Sequence, residues 1–575
     1  MVNSKGLNYG IIIDSHSLSK WQLSCMNKLS EKHDNLSLVL IEKNNKTERS
    51  GKNLLFNVSE QRLDRVLSRG KALSHLKNIY PDISVRCVDS KDVGGLVRYS
   101  PEDLEVIQDH HLDFIIRFTR SKLAADILTA PRYGVWAFQF SDITKYGGEV
   151  QGFWEVYNEE AVTKGYLVRL GHSKRRVEVL KMGIFSTISS SYFKNRKHLQ
   201  TVIADWAALV SLTIKANTFS PMLVEINDRM IHHQTPTNQD YLIYIGKVIK
   251  HRTKKLFDLF FRYEYWNVGI SNKPIESFIS HSEAEVTWLL KEDNLYYADP
   301  FAYKKGDECY LMVEELDEKV VSGYLTRFTL KHGELSSIEK SVLKLPSHMS
   351  YPFILEDKGE TYCIPETSEE REVAIYKLDK ETGEWRKVKV LIRDFPAVDS
   401  TIIKHDGKWW LFCTNADHGS LRDLYIFHSK DLFGPWTPHL LNPVKQDVRS
   451  SRPAGTIFQK DRILYRPAQD CSLTYGGRIS INRINVLTTN AYHEEVYTYI
   501  NPQSNSLYSD GTHTISSVGN LTLFDGKRVD YSISNVVKKL FMIKHKLKRR
   551  AYNMISKVFS IHHVNGHKNV SKTNS

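Results

Sequence analysis

Cysteine is scarce and scattered. The six in this chain of 575 residues (Cys25, Cys87, Cys309, Cys363, Cys413 and Cys471) form no Cys-x-x-Cys pair and no Cys/His metal spacing. That excludes a disulfide-stapled or zinc-knuckle domain and fits reduced, mostly buried strand residues of a cytoplasmic protein. The adjacent His232 and His233 face different ways and make no metal motif by themselves. Gly-x-Gly-x-x-Gly and the P-loop pattern are both missing, so neither a dinucleotide fold nor a nucleotide-phosphate cradle has support. No apolar run spans a bilayer, and the one near the start is too short for a signal peptide. Acid is missing from one place: beyond Asn535 there is no Asp or Glu, so much of the net charge of +13 sits in that tail. No aromatic-interleaved basic groove accompanies the charge, which argues against nucleic acid as a partner.

What the chain has in quantity is repetition. From Trp266 to about Gly526 one pattern recurs: a turn, an apolar strand, a Gly/Asp turn and an aromatic-rich strand. The units begin at Asp299, Tyr351, Asp399 and Arg452, with a fainter fifth at His513-Thr514, about 50 to 60 residues apart. Asp-Gly pairs such as Asp406-Gly407 and Asp525-Gly526 read as hairpin turns. One such unit cannot bury both faces, so five stacked blades of four strands, a β-propeller, accommodate the pattern better than a large sandwich. The unit starts then face the central funnel.

The first 185 residues read as α/β of the doubly wound type. Strands are expected at 9–13, 36–41, 83–88, 112–118 and 135–140, and helices at 17–32, 101–110 and 121–128. Residues 186–262 read as a helical connector, with helical spacing over 191–217 and 239–263. The propeller occupies 263–531. Residues 532–575 read as a basic amphipathic helix and a polar tail. In that helix Val536, Val537, Leu540, Phe541, Ile543 and Leu547 alternate with Lys538, Lys539, Lys544, Lys546, Lys548, Arg549 and Arg550. A helix of this kind suits either an anionic membrane face or docking on the propeller.

Between 113 and 170, Gly134, Ser141, Lys145, Tyr146, Gly148, Trp154, Glu160 and Thr163 stand at the spacing of the folate-dependent formyltransferase core, which this stretch resembles. The resemblance implies that fold, but the family's Asn, His and Asp are replaced: Ala137 and Gln139 hold the first two positions, and Arg175 to Val177 the third. Gln cannot act as a base near neutrality, and Ala offers no donor to an oxyanion. The expectation is a degenerate formyltransferase site, marked by Ala137, Gln139, Ser141 and Arg175. Formyl-tetrahydrofolate would be a cofactor only if amino-sugar formylation survived.

The repeat region carries Ala298-Asp-Pro-Phe301, Ser350-Tyr-Pro-Phe353, Asp399-Ser-Thr401, Ser451-Arg-Pro-Ala-Gly455 and Gly511-Thr-His-Thr514. In this it resembles the five-bladed propellers of arabinanase- and xylosidase-type glycoside hydrolases. It is similar also to the propeller at the N-terminus of plant glucosamine inositolphosphorylceramide transferases. The resemblance implies a site where two carboxyl groups with different pKa values flank a glycosidic bond. Asp299 matches the hydrolases' first position, whereas Tyr351 and Asp399 depart from the second and third. Asp299, Asp399 and Glu366 are therefore the catalytic candidates. Glu314, Tyr351, Arg452, Arg466, Gln469, Asp470, Tyr475 and His513 are the candidates for substrate binding, and no metal or other cofactor is expected. A surface-glycan protein transferring a sugar or substituent is the first expectation, with a glycan, nucleotide-sugar or lipid-linked sugar as partner and a cytoplasmic or peripheral membrane location. A hydrolase fits less well, and a non-catalytic glycan-binding scaffold is the alternative.

Overall fold

The structure is a computed structural model that describes residues 6–544 apart from 15–16, 43–50, 68–70, 73–79, 81, 89, 94–95, 120, 148–149, 172, 174, 227–234, 281–285, 291–295 and 318–321. Gly148, the His232-His233 pair and the tail beyond Lys544 thus lie outside the described residues. The chain divides into two compact units. The first comprises Met1–Thr253 with two short excursions, His439–Val448 and Val486–Tyr492. The second comprises Lys254–Pro438, Arg449–Asn485 and His493–Ser575.

The first unit is built on one sheet of eight strands, in the order Met222–Glu225, Arg176–Ser186, Val162–Arg169, Val135–Gln139, Phe114–Arg117, Asn8–Ile13, Asn35–Glu42, Ser84–Val88. The last five of these are mutually parallel. Their cores are unbroken apolar runs such as Ile11–Ile13 and Phe114–Ile116, as strands covered on both faces require. Two-way winding from Asn8–Ile13 makes the doubly wound order. Helices cover the sheet, and the helix Pro101–Asp109 has an explicit start. Ser100 Oγ accepts the Asp103 N–H at 3.2 Å, and Pro101 opens the first turn.

Several expectations for this unit need correction. The first helix begins at Lys20, because Ser17–Leu18 pairs as a strand and Ser19 is the cap. The helix expected over 121–128 starts only at Ala125. Residues 186–253 are no separate helical connector. They fold with the first 185, and Met222–Glu225 extends the sheet antiparallel to Arg176–Ser186. That strand is half exposed and carries no long apolar run, so its period is hard to see.

The second unit is a five-bladed propeller. Four blades are consecutive antiparallel sheets starting at Tyr297–Lys305, Ser350–Asp357, Ala397–His405 and Phe458–Lys460. The fifth is composite: Ile515–Val518 and Leu521–Tyr531 are completed by Arg262–Ser271 and Thr287–Trp288 from before the first repeat. This explains why the fifth repeat looked faint, since half of it comes from the other end of the sequence. Asp525-Gly526, expected as a turn, lies inside the strand Leu521–Tyr531, whereas Asp406-Gly407 does form a hairpin turn with φ of 48° and 72°. Beyond the last blade the chain is helical over 534–544.

Inner strands are tied across blades near the axis. Tyr351 Oη accepts the Gly455 N–H at 2.6 Å and shares a 2.8 Å hydrogen bond with Thr401 Oγ1, linking blades two, three and four. Gly455 has φ of 118° and bridges Ile515 in blade five, and an added Cβ would lie 1.7 Å from the Ile515 carbonyl oxygen. Replacement by alanine therefore meets both a forbidden backbone region and rigid backbone. Gly455→Ala is expected to cost more than about 3 kcal/mol, read as a lower urea midpoint. A loss under about 1 kcal/mol would mean the axis tolerates separation of blades four and five.

Candidate functional site

The repeat starts owe their orientation to one backbone device used three times. In blade one, Ala298 pairs with Glu314 and Phe301 with Met312, so Asp299 and Pro300 together oppose a single residue. Blade two does the same at Tyr351-Pro352, and blade three at Asp399-Ser400. These are β-bulges, and the first residue of each takes a left-handed conformation: φ is 52° at Asp299, 44° at Tyr351 and 53° at Asp399. Such φ values are unusual for non-glycine residues and mark positions held by their surroundings. The bulges also explain how Pro300 and Pro352 sit within strands, since the extra residue leaves the hydrogen-bond ladder.

Two linked clusters result. In the first, Asp299 Oδ1 accepts from Thr514 Oγ1 at 2.5 Å and lies 3.8 Å from His513 Nδ1. His513 is 2% exposed, stacks on Trp266 at 4.2 Å between centroids, and donates through Nδ1 to Asp525. Asp525 also receives the backbone N–H groups of His513 at 2.8 Å, Thr514 at 3.1 Å and Asp299 at 3.3 Å. In the second cluster, Arg452 grips Asp399 with two nitrogens, Nε at 2.6 Å and Nη2 at 3.2 Å, while Gln469 Nε2 donates to it at 2.9 Å. The Arg452 guanidinium lies 5.2 Å from the centroid of Tyr475, whose ring meets His513 edge-on at 5.3 Å. Glu314 and Glu366, on the second strands of blades one and two, are both buried and complete the acidic set.

Crowding buried carboxyls perturbs Asp299, Asp399 and Glu314. Burial, with repulsion from Asp399 and Asp525, pushes Asp299 up to about 6 against the pull of His513. Burial and the neighbouring Glu366 push Asp399 up to about 7 despite Arg452. Glu314 is held well above the carboxylate range by burial, then by Asp299, Glu366 and Asp399. Burial works against the charge on His513, but Asp525 and Asp299 outweigh it and raise its pKa. The centre can therefore hold protons near neutral pH on acids from different blades, the arrangement that acid/base work on a polar substrate needs. Among the described residues, Asp299, His513 and Asp525 offer ligand atoms within 4.8 Å of one another. The His513–Asp525 ion pair already uses that imidazole nitrogen.

Three of the expected substrate contacts are spent on structure. Arg466 is 1% exposed. It pairs with Glu494 through Nε at 2.8 Å and Nη2 at 2.6 Å and donates to the carbonyls of Ser450 and Ser451. Tyr351 is fully buried beneath the carboxyls as the inter-blade tie described above. Asp470 is buried in blade four, accepting from Arg478 Nε and the Ser472 N–H. All three lie on blade strands near the axis, where sequence periodicity cannot separate inward from sideways. Asp525 was the residue missed. Its signal was Gly526, whose added Cβ would sit 2.2 Å from the Trp288 ring, a strand glycine placed for close approach.

In the first unit, Ala137 is buried in the strand Val135–Gln139, and Gln139 Oε1 is buried without a hydrogen-bond partner. Arg175 is exposed, and its N–H donates to Ser173 Oγ at 3.2 Å. Ser141 Oγ donates to Glu155 Oε1 at 2.6 Å, which also accepts the Asp142 N–H at 3.0 Å. Burial pushes the carboxyl of Glu155, a residue not singled out from sequence, up to about 7.

The second unit is similar in part to known proteins. The family model described as "Glucosamine inositolphosphorylceramide transferase 1, N-terminal" matches residues 273–511. Glucosamine inositolphosphorylceramide transferase 1 of Oryza sativa subsp. japonica is 35% identical over 205 residues, which is 35% of this chain and 27% of the rice protein. The protein of that name from Arabidopsis thaliana is 34% identical over 214 residues, again 27% of its length. The match thus spans about a quarter of the curated relatives. Among solved structures, CoXyl43, a GH43 β-xylosidase/α-arabinofuranosidase from a compost microbial metagenome, aligns at 14% identity and a TM-score of 0.28, covering 36% of this chain and 79% of that one. The exo-β-1,3-galactanase 1,3Gal43A from Clostridium thermocellum aligns at 13% identity and a TM-score of 0.29, covering 35% and 49%.

Asp299 and Asp399 bind protons more tightly in the folded protein than in the unfolded chain, where aspartates titrate near about 4. Their contribution to stability is complete below that pH and is lost as pH rises through about 6 and about 7 respectively. Stability is thus expected to fall between about pH 4 and about pH 7, by an amount on the order of a few kcal/mol, read as a lower melting temperature. Asp299→Asn should flatten the part of the profile around pH 6. An unchanged slope in that variant would show that Asp299 does not titrate there.

Proposed function

We propose that the centre of the propeller is the site of a carbohydrate-acting protein of glycan assembly, which transfers a sugar or substituent to an acceptor. The observation that carries this reading is the meeting of Asp299, Glu314, Glu366 and Asp399, from three blades, with Arg452, Gln469 and Tyr475. Carboxyls paired with a guanidinium, an amide and an aromatic face suit a polyhydroxylated or phosphorylated ligand. The similarity to glucosamine inositolphosphorylceramide transferases supports a glycan-modifying transferase and a glycan, nucleotide-sugar or lipid-linked sugar as ligand.

In this reading Asp299, ionised, takes the proton of the acceptor hydroxyl as its oxygen bonds to the transferred group. Asp399, protonated, gives a proton to the departing oxygen as the old bond breaks. Glu366 helps keep that proton on Asp399 by repelling charge from it. Arg452 would move from Asp399 toward a phosphate or carboxylate of the ligand, a site for which guanidinium geometry is suited.

One observation favours a second reading, a non-catalytic glycan-binding scaffold. Asp399 is already held by Arg452 and Gln469, and Tyr351 stands where the hydrolases carry a carboxylate. For the first unit we propose a formyltransferase-like fold without formyl transfer. The doubly wound order with added antiparallel strands supports the fold. The replacements Ala137 and Gln139 argue against the chemistry.

A thermal-shift screen of nucleotide sugars, lipid-linked sugar analogues, short glycans and formyl-tetrahydrofolate identifies the ligand, and a turnover assay with any sugar that binds tests the rest. Turnover should fall at least about 100-fold in Asp299→Asn with binding retained. It should decline below pH about 6 as Asp299 protonates and above pH about 7 as Asp399 loses its proton. Binding without turnover in the unaltered protein would favour the scaffold. Stabilisation by formyl-tetrahydrofolate that is insensitive to Asp299→Asn would move the chemistry to the first unit.

A further inference from the structure

The helix over 534–544 is mounted on the second unit by its charged side. A helix on a water-exposed domain ordinarily buries its apolar stripe and leaves its lysines in water. Here Lys539 Nζ donates to the carbonyls of Asp258 at 2.9 Å and Leu259 at 2.8 Å, at the end of the helix Asn238–Phe261. Lys538 Nζ donates to Tyr265 Oη at 3.1 Å and lies 5.1 Å from the ring centroids of both Tyr263 and Tyr265. Asn535 is buried and donates to the Phe261 carbonyl at 2.9 Å. These contacts satisfy a helix C-terminus with cations and an amide.

The apolar side is what remains in water. Ile533 is 79% exposed, Val537 70% and Leu540 55%, and their spacing of three and four residues puts them on one face. At the same junction Leu256 is 57% and Leu259 55% exposed. Large aliphatic side chains gathered in this way on two joined helix ends mark an interaction surface.

We propose that this junction docks on an anionic lipid surface, with the apolar residues entering the headgroup boundary and the exposed Lys254, Lys255 and Lys544 meeting the headgroups. Charge selects lipid over a second copy of the chain. Residues 532–544 carry Lys538, Lys539 and Lys544 and no acid, and Lys254 and Lys255 stand exposed beside Leu256, so apposing two such surfaces sets like charges together, whereas an anionic bilayer complements them. Among the described residues no helix is long and apolar enough to cross a membrane, so the contact is in the plane of the surface. The inference stands on the helix junction alone and is independent of the reading of the propeller centre.

The test is co-sedimentation of the full chain with vesicles of phosphatidylcholine and phosphatidylserine, compared with phosphatidylcholine alone. Binding is expected on the mixed vesicles, weakened by added salt and reduced roughly tenfold in the double variant Val537→Glu/Leu540→Glu. Both positions are exposed, so that variant should keep the parent's melting temperature and ligand responses. Failure of the parent to bind the mixed vesicles would overturn the proposal, as would equal binding by the double variant. A concentration-dependent dimer that the double variant abolishes, with no vesicle binding, would assign the surface to a second copy instead.

Discussion

One hydrogen-bonded seam closes the propeller and builds its centre at the same time. Arg262–Ser271 and Leu521–Tyr531 pair antiparallel without a break from Arg262–Tyr531 to Ser271–Thr522. A blade buries its faces only between neighbours, so an unclosed ring would leave apolar faces of the first and last blades in water. The seam also brings Asp525 beside the first repeat, where it receives the N–H groups of Asp299, His513 and Thr514. Ordering of the site is thus a consequence of ring closure rather than of any one blade.

What the closed ring holds is electrostatically expensive. Four buried acids around one axis would each be more stable apart or in water. The offsets are specific: the two-pronged Arg452, the Gln469 amide, the Thr514 hydroxyl and the His513–Asp525 pair. The three bulges add left-handed backbone at Asp299, Tyr351 and Asp399. Costs of this kind are concentrated at one point of a fold whose outer strands follow ordinary pairing rules, which supports the proposal of a site there.

The two buried polar centres of the chain differ in kind. In the first unit Glu155 is satisfied on one oxygen by Ser141 and the Asp142 N–H, with no guanidinium or imidazole contact to it among the described residues. In the propeller Asp399 is held by Arg452 and Gln469, and Asp525 by His513. That contrast is why the propeller centre carries the functional reading.

The sequence by itself determined the repeat, its spacing, the five-bladed count and the doubly wound start of the first unit, because these rest on local periodicity and turn residues. It also marked Asp299, Asp399, Arg452 and His513 as repeat starts expected to face the axis, and the structure brings them together there. Only the tertiary structure decided the rest. The fifth blade needs strands from both ends of the propeller, so no window of sequence contains it. Arg466, Tyr351 and Asp470 have the residue types of a binding site, but their neighbours from other strands turn them into internal ties. Asp525 reads as half of a turn until long-range pairing extends its strand through Gly526. The helix over 534–544 has an apolar and a basic side in sequence. Which side meets the protein was settled by the free carbonyls at the end of a helix that lies far from it along the chain.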